Sequence, residues 1–169
     1  MESKYNPAPR DAVRHGGPAD NRCTDPMDTD LKQRLGLAVI ESAAEAVIYS
    51  DREGLIRLWN AGAERVFGFT AAEALGQSLD IIIPEKQRRV HWEGYDAVMA
   101  SGKSRYGSGD LLSVPALTKD GRRISVEFTI VPLTDESGAM LGMAAILRDV
   151  TKRFDELKAL RRQVAGVER

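Results

Sequence analysis

The stretch that decides the fold runs Asp51-Arg52-Glu53-Gly54-Leu55-Ile56-Arg57-Leu58-Trp59-Asn60-Ala61-Gly62-Ala63-Glu64-Arg65-Val66-Phe67-Gly68-Phe69-Thr70-Ala71-Ala72-Glu73-Ala74-Leu75-Gly76. Asp51 to Gly54 is a turn. It joins a strand over Ala46 to Ser50 to a return strand over Leu55 to Trp59, making a hairpin. Asn60 is a side-chain cap for a short helix from Ala61 to Phe67, and Gly68 ends it. Thr70 and Glu73 are spaced as a capping box for a second short helix, closed by Gly76.

Upstream, Leu31, Leu35, Ala38 and Val39 fall at helical spacing after the possible caps Asp28 and Thr29. This predicts a flanking helix over 29–45. Residues 1–28 carry Pro7, Pro9, Pro18 and Pro26 with Gly16-Gly17 and few large apolar residues. Such a segment cannot repay its ordering entropy, so a disordered tail is expected, with His15 and Cys23 as solvated residues in it. Downstream, Leu79 to Ile83 is apolar, and Pro84 opens a long helix that Gly102 stops near Ser101. The period then becomes two. A strand is expected over 110–118, with Pro115 at a bulge or an edge. Ile124, Val126, Phe128 and Ile130 alternate with polar residues, so one sheet face is buried. Met140 to Leu147 is apolar on both faces, the mark of a central strand. Residues 154–169 read as an exit helix, with Phe154, Leu157, Leu160 or Arg161, and Val164 at spacings of three and four. The expectation is an α+β domain over 46–153: a five-stranded antiparallel sheet whose helices close a pocket on one face.

The composition excludes several classes. The chain has 169 residues, enough for one domain with its own core. Lys plus Arg is 24 against 25 for Asp plus Glu, which argues against a nucleic-acid partner. No apolar run approaches a membrane span, and Met1 to Arg10 has no secretory h-region, so a cytoplasmic protein is expected. Cys23 is the single cysteine, which excludes an intrachain disulfide and a thiolate zinc site. His15 and His91 are the only histidines, so a His-rich metal site is excluded and a single axial ligand is not. There is no Ser-His-Asp set and no phosphate loop; Gly107-Ser108-Gly109 is too short and precedes a strand. Arg88-Arg89 and Arg161-Arg162 are expected to be solvated helix faces. Trp59 is expected in the core and Trp92 at a half-exposed helix position, although either indole could stack on a flavin.

The chain resembles the PAS family. The likeness is carried by Asp51-Arg52-Glu53-Gly54, Trp59 to Glu64, Phe67-Gly68-Phe69-Thr70 with Glu73 and Gly76, Lys119-Asp120-Gly121, and Arg148 to Arg153. The PAS fold by itself does not set a function. The light-sensing flavin subclass needs a cysteine in the helical middle, and none lies there. The stretch Ile83-Pro84-Glu85-Lys86-Gln87-Arg88-Arg89-Val90-His91 is similar to haem-binding PAS domains of rhizobial oxygen-sensor kinases. That resemblance implies haem b with His91 as the iron ligand, and Tyr95, Arg105, Asp110 and Leu112 around the cofactor. Imidazole is a common haem ligand, in keeping with this. Alternatively, His91 is a helix-surface or hydrogen-bonded core residue.

The likeness also implies differences from the oxygen sensors. Their arginine above the iron corresponds here to Asp110 or Leu112, neither of which donates a charged hydrogen bond. Long-lived oxygen binding of the sensor type is therefore not expected. Ala97 falls near the basic propionate partner, a role left to Arg105 or Lys103. Only residues 154–169 follow the PAS segment, so no attached output domain is expected. One expectation is a gas or redox sensor working through partner contact or a homodimer of the terminal helices. Another is a small haem enzyme resembling the N-nitroglycine (nitramine) lyase and using reduced haem, with Tyr106, Ser108 and Asp110 near a small-molecule substrate. A third is a cofactor-free interaction module.

Overall fold

The computed structural model describes residues 26–102 and 111–167. Residues 1–25 of the expected tail, with His15 and Cys23, lie outside the described residues. In chain order the elements are α1 (Pro26–Ser42), β1 (Ala46–Asp51), β2 (Ile56–Trp59), α2 (Ala61–Phe67), α3 (Ala71–Ala74), a 3-10 turn (Leu79–Ile81), α4 (Glu85–Ser101), β3 (Leu112–Leu117), β4 (Arg123–Thr134), β5 (Met140–Asp149) and α5 (Thr151–Val167). α1 starts at Pro26, ahead of Asp28 and Thr29, because proline's fixed φ and missing N–H suit a first helical turn. No described helix is long and apolar enough to cross a membrane.

The five described strands form one antiparallel sheet in the order β2-β1-β5-β4-β3. β5 lies at the centre, as expected, but its apolar run is not buried on both faces: Leu141 and Ile146 on its outer side stay exposed. β3 lies at an edge, where Pro115 can sit without breaking an inner ladder. One sheet face carries Ile48, Ile124, Val126 and Leu147, all buried, and the helical middle covers it. Trp59 packs in this core, its ring centroid 5.4 Å from that of Phe67, and its Nε1 donates to the Phe69 carbonyl at 3.0 Å. The indole is thus a core member and unavailable for stacking on a flavin.

Asn60 joins three elements. Its Oδ1 accepts from the N–H of Val47 and of Ala63, both at 2.8 Å. Its Nδ2 donates to the carbonyls of Ile40 at 2.8 Å and Glu45 at 3.1 Å. The side chain therefore caps α2, starts β1 and ties down the end of α1, and it is buried. Gly62 permits this approach: a Cβ there would lie 1.9 Å from the Glu45 carbonyl oxygen. Thr70 and Glu73 form the expected capping box, and Lys119 reaches across to the Glu73 carboxylate.

Two tests follow from these contacts. Asn60→Ala removes a cap and leaves buried backbone groups unpaired, so unfolding free energy should fall by about 3 kcal/mol. A urea midpoint unchanged from the parent would contradict that role. Lys119, and then Thr70, hold the Glu73 carboxyl down to about 2. Its folded value lies below its unfolded one, so its stabilisation is present above the ordinary glutamate range and is lost as pH falls toward 2. A carbon-detected NMR titration of Glu73 should show a midpoint far below the ordinary range; an ordinary midpoint would mean that the pair is not formed in solution.

Candidate functional site

Between α4 and the inner face of β3, β4 and β5 lies a cavity of about 400 Å³. Its floor is Val114, Phe128, Ile130 and Met143, and its roof is the α4 face bearing Gln87, His91, Tyr95 and Val98. A smaller space of about 120 Å³ adjoins it past His91 and Tyr95, toward Ile48 and Leu147. The larger volume lies within the usual range of ligand pockets, and its mostly apolar lining is typical of them.

The face of α4 turned to the cavity is set by contacts on either side of His91. Arg88 Nε donates to the Ile83 carbonyl at 3.2 Å, and its Nη2 donates to that of Asp80 at 3.1 Å. Arg88 is thus half-buried and clamps α4 to the preceding turn, whereas the Arg88-Arg89 pair was expected to be solvated. Arg89 alone is exposed, paired with Glu93. The expectation holds for Arg89 and Arg161 and departs only at Arg88, because the charge pattern of a helix does not reveal the carbonyls of the turn before it. Trp92 Nε1 donates to Asp80 Oδ1 at 2.9 Å. The Trp92 ring lies over Gly54, where an added Cβ would fall 2.2 Å from an indole carbon and where φ is +76°. Only glycine meets both demands. Tyr95 shares a hydrogen bond of 2.9 Å with Ser50 Oγ and donates to the Asp51 carbonyl, so its hydroxyl belongs to β1 and its ring to the cavity wall.

These contacts leave His91 half-buried between two aromatic neighbours, with ring centroids 4.9 Å from Trp92 and 5.8 Å from Tyr95. Its Nδ1 is buried without a hydrogen-bond partner. Burial lowers its pKa from the ordinary histidine value, against a smaller opposing pull from the Asp80 carboxylate. The ring is therefore neutral at neutral pH and keeps a lone pair for coordination. Burial raises the Tyr95 pKa, which keeps the phenol protonated as a donor to β1.

Of the residues predicted from sequence, His91, Tyr95 and Leu112 all line the cavity. Arg105 and Asp110 lie outside the described residues, as do Lys103, Tyr106 and Ser108. Ala97 lines the cavity, and no Lys or Arg appears among its described lining residues. Sequence reading missed Gln87, Ile83, Val114 and Met143. For Gln87 a signal existed, its place one helical turn before His91. Among the described residues, no three His, Cys, Asp or Glu side chains gather as a metal cage. Among the described residues the site offers a metal one imidazole, and a mostly apolar pocket with a neutral histidine on its wall fits a haem held by a single axial ligand.

Comparison with known proteins agrees with the fold. Over residues 34–150 the chain matches the family model described as the PAS fold. It is 27% identical over 115 residues to the sensor protein FixL of Bradyrhizobium diazoefficiens, covering 68% of this chain and 22% of that one. It is also 27% identical over 122 residues to the methanogenesis regulatory histidine kinase FilI of Methanothrix harundinacea, covering 72% of this chain and 13% of that protein. The chain thus spans less than a quarter of the length of either relative. Among solved structures, the PAS domain of a protein from Colwellia psychrerythraea superposes with a TM-score of 0.62 at 25% identity, covering 73% of this chain and 98% of that one. With the sheet order, the capped helical middle and the α4 cavity, the match over most of its length means that the chain belongs to the PAS family.

Proposed function

We propose that this PAS domain is a sensory module that holds haem b in the cavity beneath α4, with His91 as the axial ligand. The observation that carries the assignment is a half-buried histidine, His91, whose burial favours the neutral ring, on the wall of a mostly apolar cavity of about 400 Å³. The similarity of Ile83 to His91 to haem-binding PAS domains supports the same ligand. Haem bound there supplies an iron centre at which a diatomic gas or small molecule can bind or change redox state. The protein's own part is to orient His91 through Arg88, Trp92 and Tyr95, and to exclude water with Ile83, Leu112, Phe128, Ile130 and Met143.

A sensory role is supported by the similarity to a sensor protein and to a regulatory histidine kinase. It is also supported by the route out of the cavity. Met143 and Leu147 face the two spaces from β5, and β5 runs directly into α5. The junction is tied to β4 at two points: Val150 N–H donates to the Ser125 carbonyl, and Ser125 N–H donates to Thr151 Oγ1, both at 2.9 Å. A shift of the sheet at the cavity therefore moves the start of α5. On α1, Leu31, Leu35, Leu37 and Val39 are exposed, and on α5 so are Phe154, Leu157 and Leu160. Apolar stripes on both terminal helices fit a homodimer that reads this movement; the Val164 side chain lies outside the described ones.

His91→Ala should abolish stoichiometric haem while far-UV circular dichroism stays that of the parent. A Soret band of unchanged position and intensity would mean that another residue holds the iron. Leu157→Asp combined with Leu160→Asp should convert a dimer to a monomer at micromolar concentration in sedimentation velocity. A parent chain already monomeric there would defeat the dimer proposal.

A further inference from the structure

Two side-chain polar atoms among the described residues are buried without a hydrogen-bond partner, Gln87 Oε1 and His91 Nδ1. Folded proteins rarely leave such atoms unpaired, because each has given up its water. The two belong together. Both residues are on α4, four positions apart, and both line the cavity. Residues at that spacing are neighbours on one helix face, with Cβ atoms about 5–6 Å apart. Their chemistry is complementary. The Gln87 carboxamide oxygen can only accept, and a neutral imidazole donates from Nδ1 in one of its two tautomers.

We propose that Gln87 is the positioning residue of His91: its side chain turns so that Oε1 accepts the Nδ1 proton. The bond holds the tautomer in which Nε2 keeps its lone pair as the ring's ligand atom. It also stops the ring from rotating about its side-chain bonds, and partial withdrawal of the proton makes the ring a stronger donor. Asp80, whose charge acts on His91, is otherwise engaged: it accepts from Trp92 Nε1 and faces Arg88 at 3.7 Å. The Tyr95 hydroxyl is turned to β1. Gln87 is thus the acceptor on the same helix face with an oxygen to spare. The inference rests on the haem assignment for its consequence at the metal, but the tautomer it sets is a property of the protein alone.

The test uses the full chain with Gln87→Leu, Gln87→Glu and, as the competing acceptor, Asp80→Asn. Nitrogen-15 NMR of the His91 ring in haem-free protein reads the tautomer directly. The parent and Gln87→Glu should hold the Nδ1–H form, and Gln87→Leu should give a mixture. With haem added, the iron–histidine stretching frequency in the ferrous resonance Raman spectrum should rise in Gln87→Glu and fall in Gln87→Leu. Haem affinity should fall 10- to 100-fold in Gln87→Leu, as for other lost partners of metal-bound histidines. An unchanged tautomer in Gln87→Leu overturns the proposal, as does a change of tautomer in Asp80→Asn with none in Gln87→Leu. If the parent takes up no haem, the haem assignment fails, and the ring tautomer still decides the role of Gln87.

Discussion

Four hydrogen bonds to and from one buried amide, Asn60, tie three consecutive elements, α1, β1 and α2, to one point. The end of α1, the first residues of β1 and the start of α2 all meet its side chain. An amide is suited to this task because it presents two acceptor sites and two donors in one plane. Every one of those groups is used inward by backbone, so the side chain can be buried without the penalty of unpaired polar atoms. Once α2 is fixed at that point, Phe67 and Ala63 enter the core beside Trp59. The helical middle then lies over the buried face of the sheet.

The same principle governs the placement of His91. α4 touches the body of the domain through Arg88, Trp92 and Tyr95, each spending its polar group on another element. His91 stands among them, and its Nδ1 is bonded to none of the three. A helix pinned on either side of the imidazole presents the ring to the cavity in a defined direction. Pre-set geometry of this kind lowers the cost of binding, since little must be ordered when the ligand arrives.

The sheet connects this site with the chain's exit. β5 is hydrogen-bonded on both sides, to β1 and to β4, so it cannot shift alone. Its inner side chains border the cavity, and its end is clamped to β4 through Ser125 and Thr151. The terminal helices, by contrast, keep large apolar residues in water. The inner face is complete within one chain and the outer helices are not, a division suited to a module that holds a ligand inside and makes contacts outside.

Local order is written plainly in this sequence. Asn60, Gly68, the Thr70–Glu73 box, Pro84 and Gly102 mark helix ends whose chemistry is satisfied within a few residues, and the structure has them where they were read. The alternation from Ile124 to Ile130 likewise states the buried face of β4, because a strand's period is local, and Pro115 and the apolar run of β5 mark an edge and the centre. The histidine of the site was legible as a residue type at a family spacing. What only the tertiary structure decided is which side chains surround it. Gln87, Val114 and Met143 line one cavity with His91 although three different elements carry them. Arg88 looks like surface charge until the carbonyls of Asp80 and Ile83 are brought beneath it. Such contacts depend on chain segments far apart or on turns that do not advertise their shape. No periodicity encodes them, and they come into being only when the layers pack.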